Sequence, residues 1–305
     1  MQVGLVGLGR MGFNLALNMV DHGHQVVAYN RSPEKTREAG KFGVTGVHSL
    51  EELVAKLLPR RVVWLMLPAG EAVEETVQAL AGLLSRGDII IDGGNSHYRD
   101  TRRRYQELAD RGLHLADSGT SGGIEGARRG ICAMVGADAD TFSYLEPLFA
   151  DLSLPAGYLH TGPTGSGHFV KMVHNGIEYG MLEALGEGFE ILARGPFDLD
   201  LAEVARVLAH GSVIRGWLVE LLAGALAANP RLEGIKDVVH SSGEGLWTAK
   251  TALDLGIPAP VITASVFARY RSEQAESLAA KVIAALRHEF GAHPVESPAP
   301  GDCGW

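Results

Sequence analysis

The chain has 305 residues, 46% hydrophobic and 21% charged, with a net charge of −9 and two cysteines, Cys132 and Cys303. That length holds two ordinary domains and buries a core without staples. Two cysteines exclude a disulfide framework or zinc knuckle, and the acidic balance excludes a nucleic-acid surface overall. A cytoplasmic protein is expected. No charged and apolar leader precedes the first strand, and the most apolar late stretch, Trp217 to Ala228, is too short to span a bilayer.

The first part of the chain alternates strand and helix signals. Gln2 to Leu8, Gln25 to Asn30, Arg61 to Leu67, Asp88 to Asp92, Leu113 to Asp117 and Gly130 to Val135 read as strands. Met11 to His22, Glu71 to Leu84 and Asp100 to Arg111 read as helices. This order predicts an α/β, doubly wound parallel sheet of Rossmann type over residues 1–162. From residue 163 to 305 the signals are helical, predicting an all-α second domain. One long helix is expected over Ser166 to Ala193, carrying Gly176, Gly180, Gly186 and Gly188 for close approach by a neighbour. Further helices are expected through Ala228, from near Gly245, and as one element from Val261 to Arg287. The Pro- and Gly-rich tail after His293 reads as irregular.

Gly7-Leu8-Gly9-Arg10-Met11-Gly12 is a G-x-G-x-x-G run between a strand and a helix. In that context it predicts a dinucleotide site: a tight turn at Gly7, close backbone approach at Gly9 and close helix packing at Gly12. The helix start offers N–H groups to phosphates. The second strand ends in Asn30-Arg31-Ser32, with no carboxylate to hold a ribose 2′-OH. Arg31 with Asn30 and Ser32 fits the 2′-phosphate of NADP, while an NAD enzyme with Arg31 over the adenine is the alternative. Leu67 and Pro68, at the end of the Arg61 to Leu67 run, and Asn95 are assigned to the same cofactor site.

In the long helix Lys171, His174, Asn175 and Glu178 stand at i, i+3, i+4 and i+7, on one face. The stripe is either a solvated face or an acid–base set. Phe169, Val170, Met172 and Val173 around Lys171 favour burial, which perturbs pKa values as acid–base chemistry needs. Two Gly-rich loops, Asp92 to Ser96 and Ser118 to Gly123, fall at strand ends, where open sheets bind ligands. Arg99, Arg102, Arg103 and Arg104 read as a solvated basic face. No clustered acidic ligands suggest a metal.

Ile91 to Ser96, Ser121-Gly122-Gly123 and above all Gly165 to Gly180 resemble the 6-phosphogluconate dehydrogenase family. The resemblance covers nearly the whole chain, with a helical domain of the short-chain form. It implies Lys171 as the base and Glu178 as the acid of an NADP- or NAD-linked oxidative decarboxylation. It implies that Asn95, Ser121, Gly122, Gly123, His174 and Asn175 hold substrate carboxylate and hydroxyls, and that Tyr179 reaches the phosphate. Arg269, in a Val266 to Arg269 match, is implied at the phosphate. Arg287 and His293, in a C-terminal match, are implied to reach a neighbouring subunit's substrate, in a homodimer or homotetramer. One departure stands out: in Gly243 to Thr248 the family's phosphate-binding lysine is replaced by Leu246, and Lys250 is the candidate substitute. Another β-hydroxyacid dehydrogenase and a non-enzymatic dinucleotide sensor are the rival readings.

Overall fold

A computed structural model describes residues 1–296. It begins with β1 (Gln2–Val6), α1 (Arg10–Asp21), β2 (Gln25–Tyr29), α2 (Pro33–Gly40), β3 (Thr45–Val47), α3 (Leu50–Lys56) and β4 (Val62–Leu65). Next come α4 (Glu71–Leu83), β5 (Ile89–Asp92), α5 (Tyr98–Ala109), β6 (His114–Ser121), α6 (Gly123–Arg129), β7 (Ile131–Gly136), α7 (Ala139–Leu152) and β8 (Ser153–Gly162). The helices α8 (Ser166–Arg194), α9 (Leu201–Ala209), α10 (Trp217–Ala228), α11 (Glu244–Asp254), α12 (Pro260–Ser272) and α13 (Leu278–Gly291) follow.

The eight strands form one sheet in the order β3-β2-β1-β4-β5-β6-β7-β8. All pairs are parallel except β6 with β7. Both faces are covered, as the short apolar runs require. Along β4, Val62 and Trp64 join Leu15, Met19 and Phe149 on one side. Val63 and Leu65 join Leu53, Val77, Leu80 and Leu108 on the other. Residue alternation thus splits one strand between two cores.

Several expectations are corrected. Ser118 to Ser121 is the second half of β6, paired antiparallel to β7, and not a loop. The strand extends because Asp117 to Ser121 finds partners in Cys132 to Gly136. The single helix expected over Val261 to Arg287 is two, α12 and α13, with the break at 273–277. Ser277 caps the second, its Oγ accepting from the Ala280 N–H. The basic run on α5 is not wholly solvated. Arg104 is 2% exposed and pairs with Glu74 and Asp92. The glycines of α8 divide: Gly176 meets Thr248 and Gly180 meets Val261, but Gly186 and Gly188 face open space.

The chain forms two compact units, and their boundary differs from the division at residue 162. The first holds residues 1–180 and 243–262, the second residues 181–242 together with the chain from Thr263. Sequence character changes at 162, but the first half of α8 packs on the sheet through Gly167 and joins it. In the second unit α9 and α10 pack together around Ala205, Val219 and Leu226. No helix among the described residues is long and apolar enough to cross a membrane.

Candidate active site

Asp117 on β6 fixes the start of α8. Its carboxylate accepts the N–H of Gly165 at 2.5 Å and of His168 at 2.7 Å. These are unpaired donors of a helix start, and an anion there is favoured. Burial nonetheless pushes the Asp117 carboxyl above its ordinary pKa. His168 Nδ1 lies 2.8 Å from Thr101 Oγ1, which ties the same turn to α5.

One turn on, Lys171 crosses the sheet at Gly119. A Cβ at Gly119 would collide with the Lys171 stem, so the strand needs glycine there. Lys171 is 7% exposed. Burial pulls its pKa below the ordinary lysine value, opposed in part by Glu178, Glu244 and Cys132. A lysine in that condition gives up its proton more readily than a free one, which suits a base.

The four residues of the stripe differ in setting. Lys171 and Asn175 are buried, whereas His174 and Glu178 keep 36% and 41% of their side-chain surface. His174 Nε2 lies 3.2 Å from Ser121 Oγ, and its Nδ1 lies 3.0 Å from Asn175 Oδ1 and 3.9 Å from Glu178 Oε2. Gly122, left-handed at φ 110°, follows Ser121, and Gly123 opens α6 directly after it. Ser121, His174, Asn175, Glu178 and Lys171 thus form a polar cluster where the end of β6 meets α8.

The loop after β5 is drawn in by Asp92. This buried carboxylate accepts the Gly94 N–H at 3.1 Å and the Ser96 hydroxyl at 2.8 Å, and meets Arg104 at 3.4 Å. Asn95 is left exposed at the loop's crest.

Helix α11 closes on α8. Thr248 Oγ1 lies 2.8 Å from the carbonyls of both Met172 and Glu244. Tyr179 is buried, with its ring against Gly245. Leu246 is half-buried and Lys250 exposed. Sequence reasoning missed Glu244, which is 4% exposed at the first turn of α11. Its only sequence signal is an acidic residue at a helix start, a commonplace one.

The dinucleotide motif has the expected form. Gly7 has φ 98°, and a Cβ at Gly12 would strike the Gly7 carbonyl. Above Gly9 there is open space, and Gly9 and Arg10 are exposed while Leu8 is buried. Helix α1 starts with no side-chain cap and no acidic residue in its first turn, Met11 included. These donors and this space fit a pyrophosphate. Asn30 braces the loop: its Oδ1 accepts the Leu8 N–H at 2.8 Å and its Nδ2 donates to the Ser32 carbonyl at 3.0 Å. Arg31 and Ser32 are exposed beside it, Leu67 leans over Gly7, and Pro68 is exposed.

Arg269, Arg287 and His293 belong to the second unit. Arg269 Nη1 donates to the His240 carbonyl at 3.1 Å. Arg287 is exposed on α13 and His293 just beyond it. The described residues hold no group of three or more His, Cys, Asp or Glu placed to ligate a metal.

Comparison with known proteins places these features. The family model for the NAD binding domain of 6-phosphogluconate dehydrogenase matches residues 2–161, and that for the 6-phosphogluconate dehydrogenase C-terminal domain matches residues 167–285. A Bacillus subtilis protein named "Putative 6-phosphogluconate dehydrogenase YqeC" is 49% identical over 97% of this chain and 99% of its own. The NAD(+)-dependent, decarboxylating 6-phosphogluconate dehydrogenase of Haloferax volcanii is 40% identical over 97% of this chain and 98% of its own. The solved 6-phosphogluconate dehydrogenase of Plasmodium falciparum superposes with a TM-score of 0.83 at 31% identity, over 99% of this chain and 67% of that one. A Mycobacterium tuberculosis 3-hydroxyisobutyrate dehydrogenase, at TM-score 0.71 and 23% identity, shares the fold. With both family models matched in order and relatives aligned end to end, the chain belongs to the 6-phosphogluconate dehydrogenase family.

Proposed function

We propose that the protein converts 6-phospho-D-gluconate to D-ribulose 5-phosphate and CO₂ with reduction of NADP or NAD. The observation that carries this is the buried Lys171 two turns before Glu178, beside the Ser121–His174 contact. The names of its full-length relatives agree.

When bound, the nicotinamide dinucleotide supplies the hydride acceptor; Gly7 to Gly12 would hold its phosphates, and Arg31 its adenosine end. Lys171 Nζ, neutral, takes the proton of the C3 hydroxyl as C3 is oxidised. The Lys171 ammonium then faces the new C3 carbonyl oxygen and stabilises the negative charge that gathers there as the C1–C2 bond breaks and CO₂ leaves. Glu178 donates a proton to the carbon that becomes C1 of the product. Asn95, Ser121, Gly122, Gly123, His174 and Asn175 orient the substrate, with Tyr179 and Arg269 toward the phosphate. Exposed Arg31, with no carboxylate at the strand end, favours NADP.

A homodimer or homotetramer with shared sites fits α13. That helix buries none of its side chains and exposes Leu278, Val282, Ile283, Leu286 and Phe290. Arg287 and His293 are the residues it would carry to a neighbour's substrate. The cytoplasm is the compartment that fits the cysteine usage.

The half-buried Leu246, at the family's lysine position, favours a second reading: a β-hydroxyacid without a phosphate. Comparing kcat/KM for 6-phosphogluconate, gluconate and 3-hydroxyisobutyrate decides between them. Preference for 6-phosphogluconate supports the proposal, and preference for a phosphate-free acid overturns it. If Lys250 replaces the lost lysine, Lys250→Ala raises the KM for 6-phosphogluconate; an unchanged KM removes it from the site.

A further inference from the structure

Glu244 is a buried carboxylate without an evident task. It is 4% exposed, and its Oε2 has no hydrogen-bond partner among the described residues. A buried carboxyl oxygen left in that state is costly, so a compensating partner is called for. Its backbone is clamped: Thr248 Oγ1 contacts both the Glu244 carbonyl and that of Met172, the residue after Lys171. Gly245, the next residue, packs on the Tyr179 ring. The first turn of α11 is therefore locked to the turn of α8 that bears the base.

The charged and titratable groups around Lys171 are Glu178 and His174 on its own helix, Cys132 on β7 and Glu244 on α11. The proposed reaction makes Lys171 a cation in a dry pocket. Glu178 is a poor permanent partner for it. Glu178 is 41% exposed, and its task in the last step requires it to carry a proton. Cys132 lies at an exposed position. Glu244 alone combines burial, an open acceptor and a rigid mount.

We propose that Glu244 is a positioning residue of this site, its carboxylate being the standing counter-charge that holds the Lys171 ammonium in place after proton uptake. This rests on the reaction proposed above. Glu178 then remains free to give up its proton without stranding the lysine.

The test is a side-chain NMR titration of Lys171 in full-length protein carrying ¹³C,¹⁵N-labelled lysine. The signal is assigned by its loss in Lys171→Met. Glu244→Gln keeps the shape and removes the charge, so the ammonium is less favoured. The Lys171 midpoint falls by about one pH unit. The acid limb of the kcat/KM profile moves down with it, and the plateau kcat drops about threefold as the base weakens. Glu244→Asp keeps the charge and stays near the wild-type midpoint. An unchanged midpoint in Glu244→Gln overturns the proposal. So does an equal shift in Glu244→Asp, which would assign the effect to packing. The titration needs no turnover: a Glu244→Gln shift in a protein whose wild type leaves 6-phosphogluconate untouched overturns only the reaction.

Discussion

Ser121 Oγ and His174 Nε2 stand 3.2 Å apart, joining the last residue of β6 to the third turn of α8. The other ring nitrogen faces the Asn175 oxygen at 3.0 Å. The imidazole is thus held between two polar partners, in one orientation, before substrate arrives. Ser121→Ala frees the ring at the cost of one hydrogen bond. The expected outcome is a rise of about fivefold in the KM for 6-phosphogluconate, with little change in the KM for cofactor. Steady-state kinetics in both substrates checks it.

Gly119→Ala tests the seat of the base. The new Cβ would meet the Lys171 stem and come within 2.8 Å of the Gly167 carbonyl. Either the strand or α8 must move. Overpacking of this kind costs about 1–3 kcal/mol of stability. A displacement of roughly 1 Å at the base lowers kcat about 100-fold. Dinucleotide affinity, measured by fluorescence titration, stays as in the wild type because Gly7 to Gly12 lies in the turn from β1 to α1, away from Gly119.

The fold was largely legible, and its gaps have local causes. The G-x-G-x-x-G turn, the strands β1, β2, β4 and β5 and the long α8 all carry strong periodic or punctuated signals. β3 is three residues long and α3 seven, too short for a period to show. α7 hides behind Pro147, and β8 behind Pro155 and Gly157. The residues of the stripe were visible as a spacing. What spacing could not show was their unequal burial, the Asp117 anchor beneath them, or Glu244 arriving from α11, because those depend on contacts distant in sequence.

Cofactor choice is tested at Arg31. It is exposed at the end of β2, with no acidic residue there to repel a 2′-phosphate. Arg31→Ala removes a charge-assisted contact and lowers kcat/KM for NADP by about 10- to 100-fold, leaving NAD nearly unchanged. Equal losses with both cofactors would instead put Arg31 over the adenine.

A pH-dependent element lies on the side of the sheet that carries α4 and α5. Glu74 bonds Arg103 and Arg104, chiefly the former, and its carboxyl is held down at about 2. Its folded pKa is below the ordinary 4.5. The stabilisation is therefore complete above about pH 4.5 and is lost as pH falls toward 2. Allowing for solvent screening of a side chain that is 30% exposed, Glu74→Gln costs about 1–2 kcal/mol at pH 7. Urea unfolding of both proteins at pH 7, 4 and 3 should show that gap narrowing.

The most direct measurement of the central claim follows three products in one reaction. Protein is mixed with 6-phosphogluconate and NADP, and reduced cofactor, CO₂ and ribulose 5-phosphate are quantified over time. Equal molar yields of all three, abolished together by Lys171→Met, are the predicted result. Reduced cofactor without CO₂, or no reduction by folded protein that binds dinucleotide, would contradict the account.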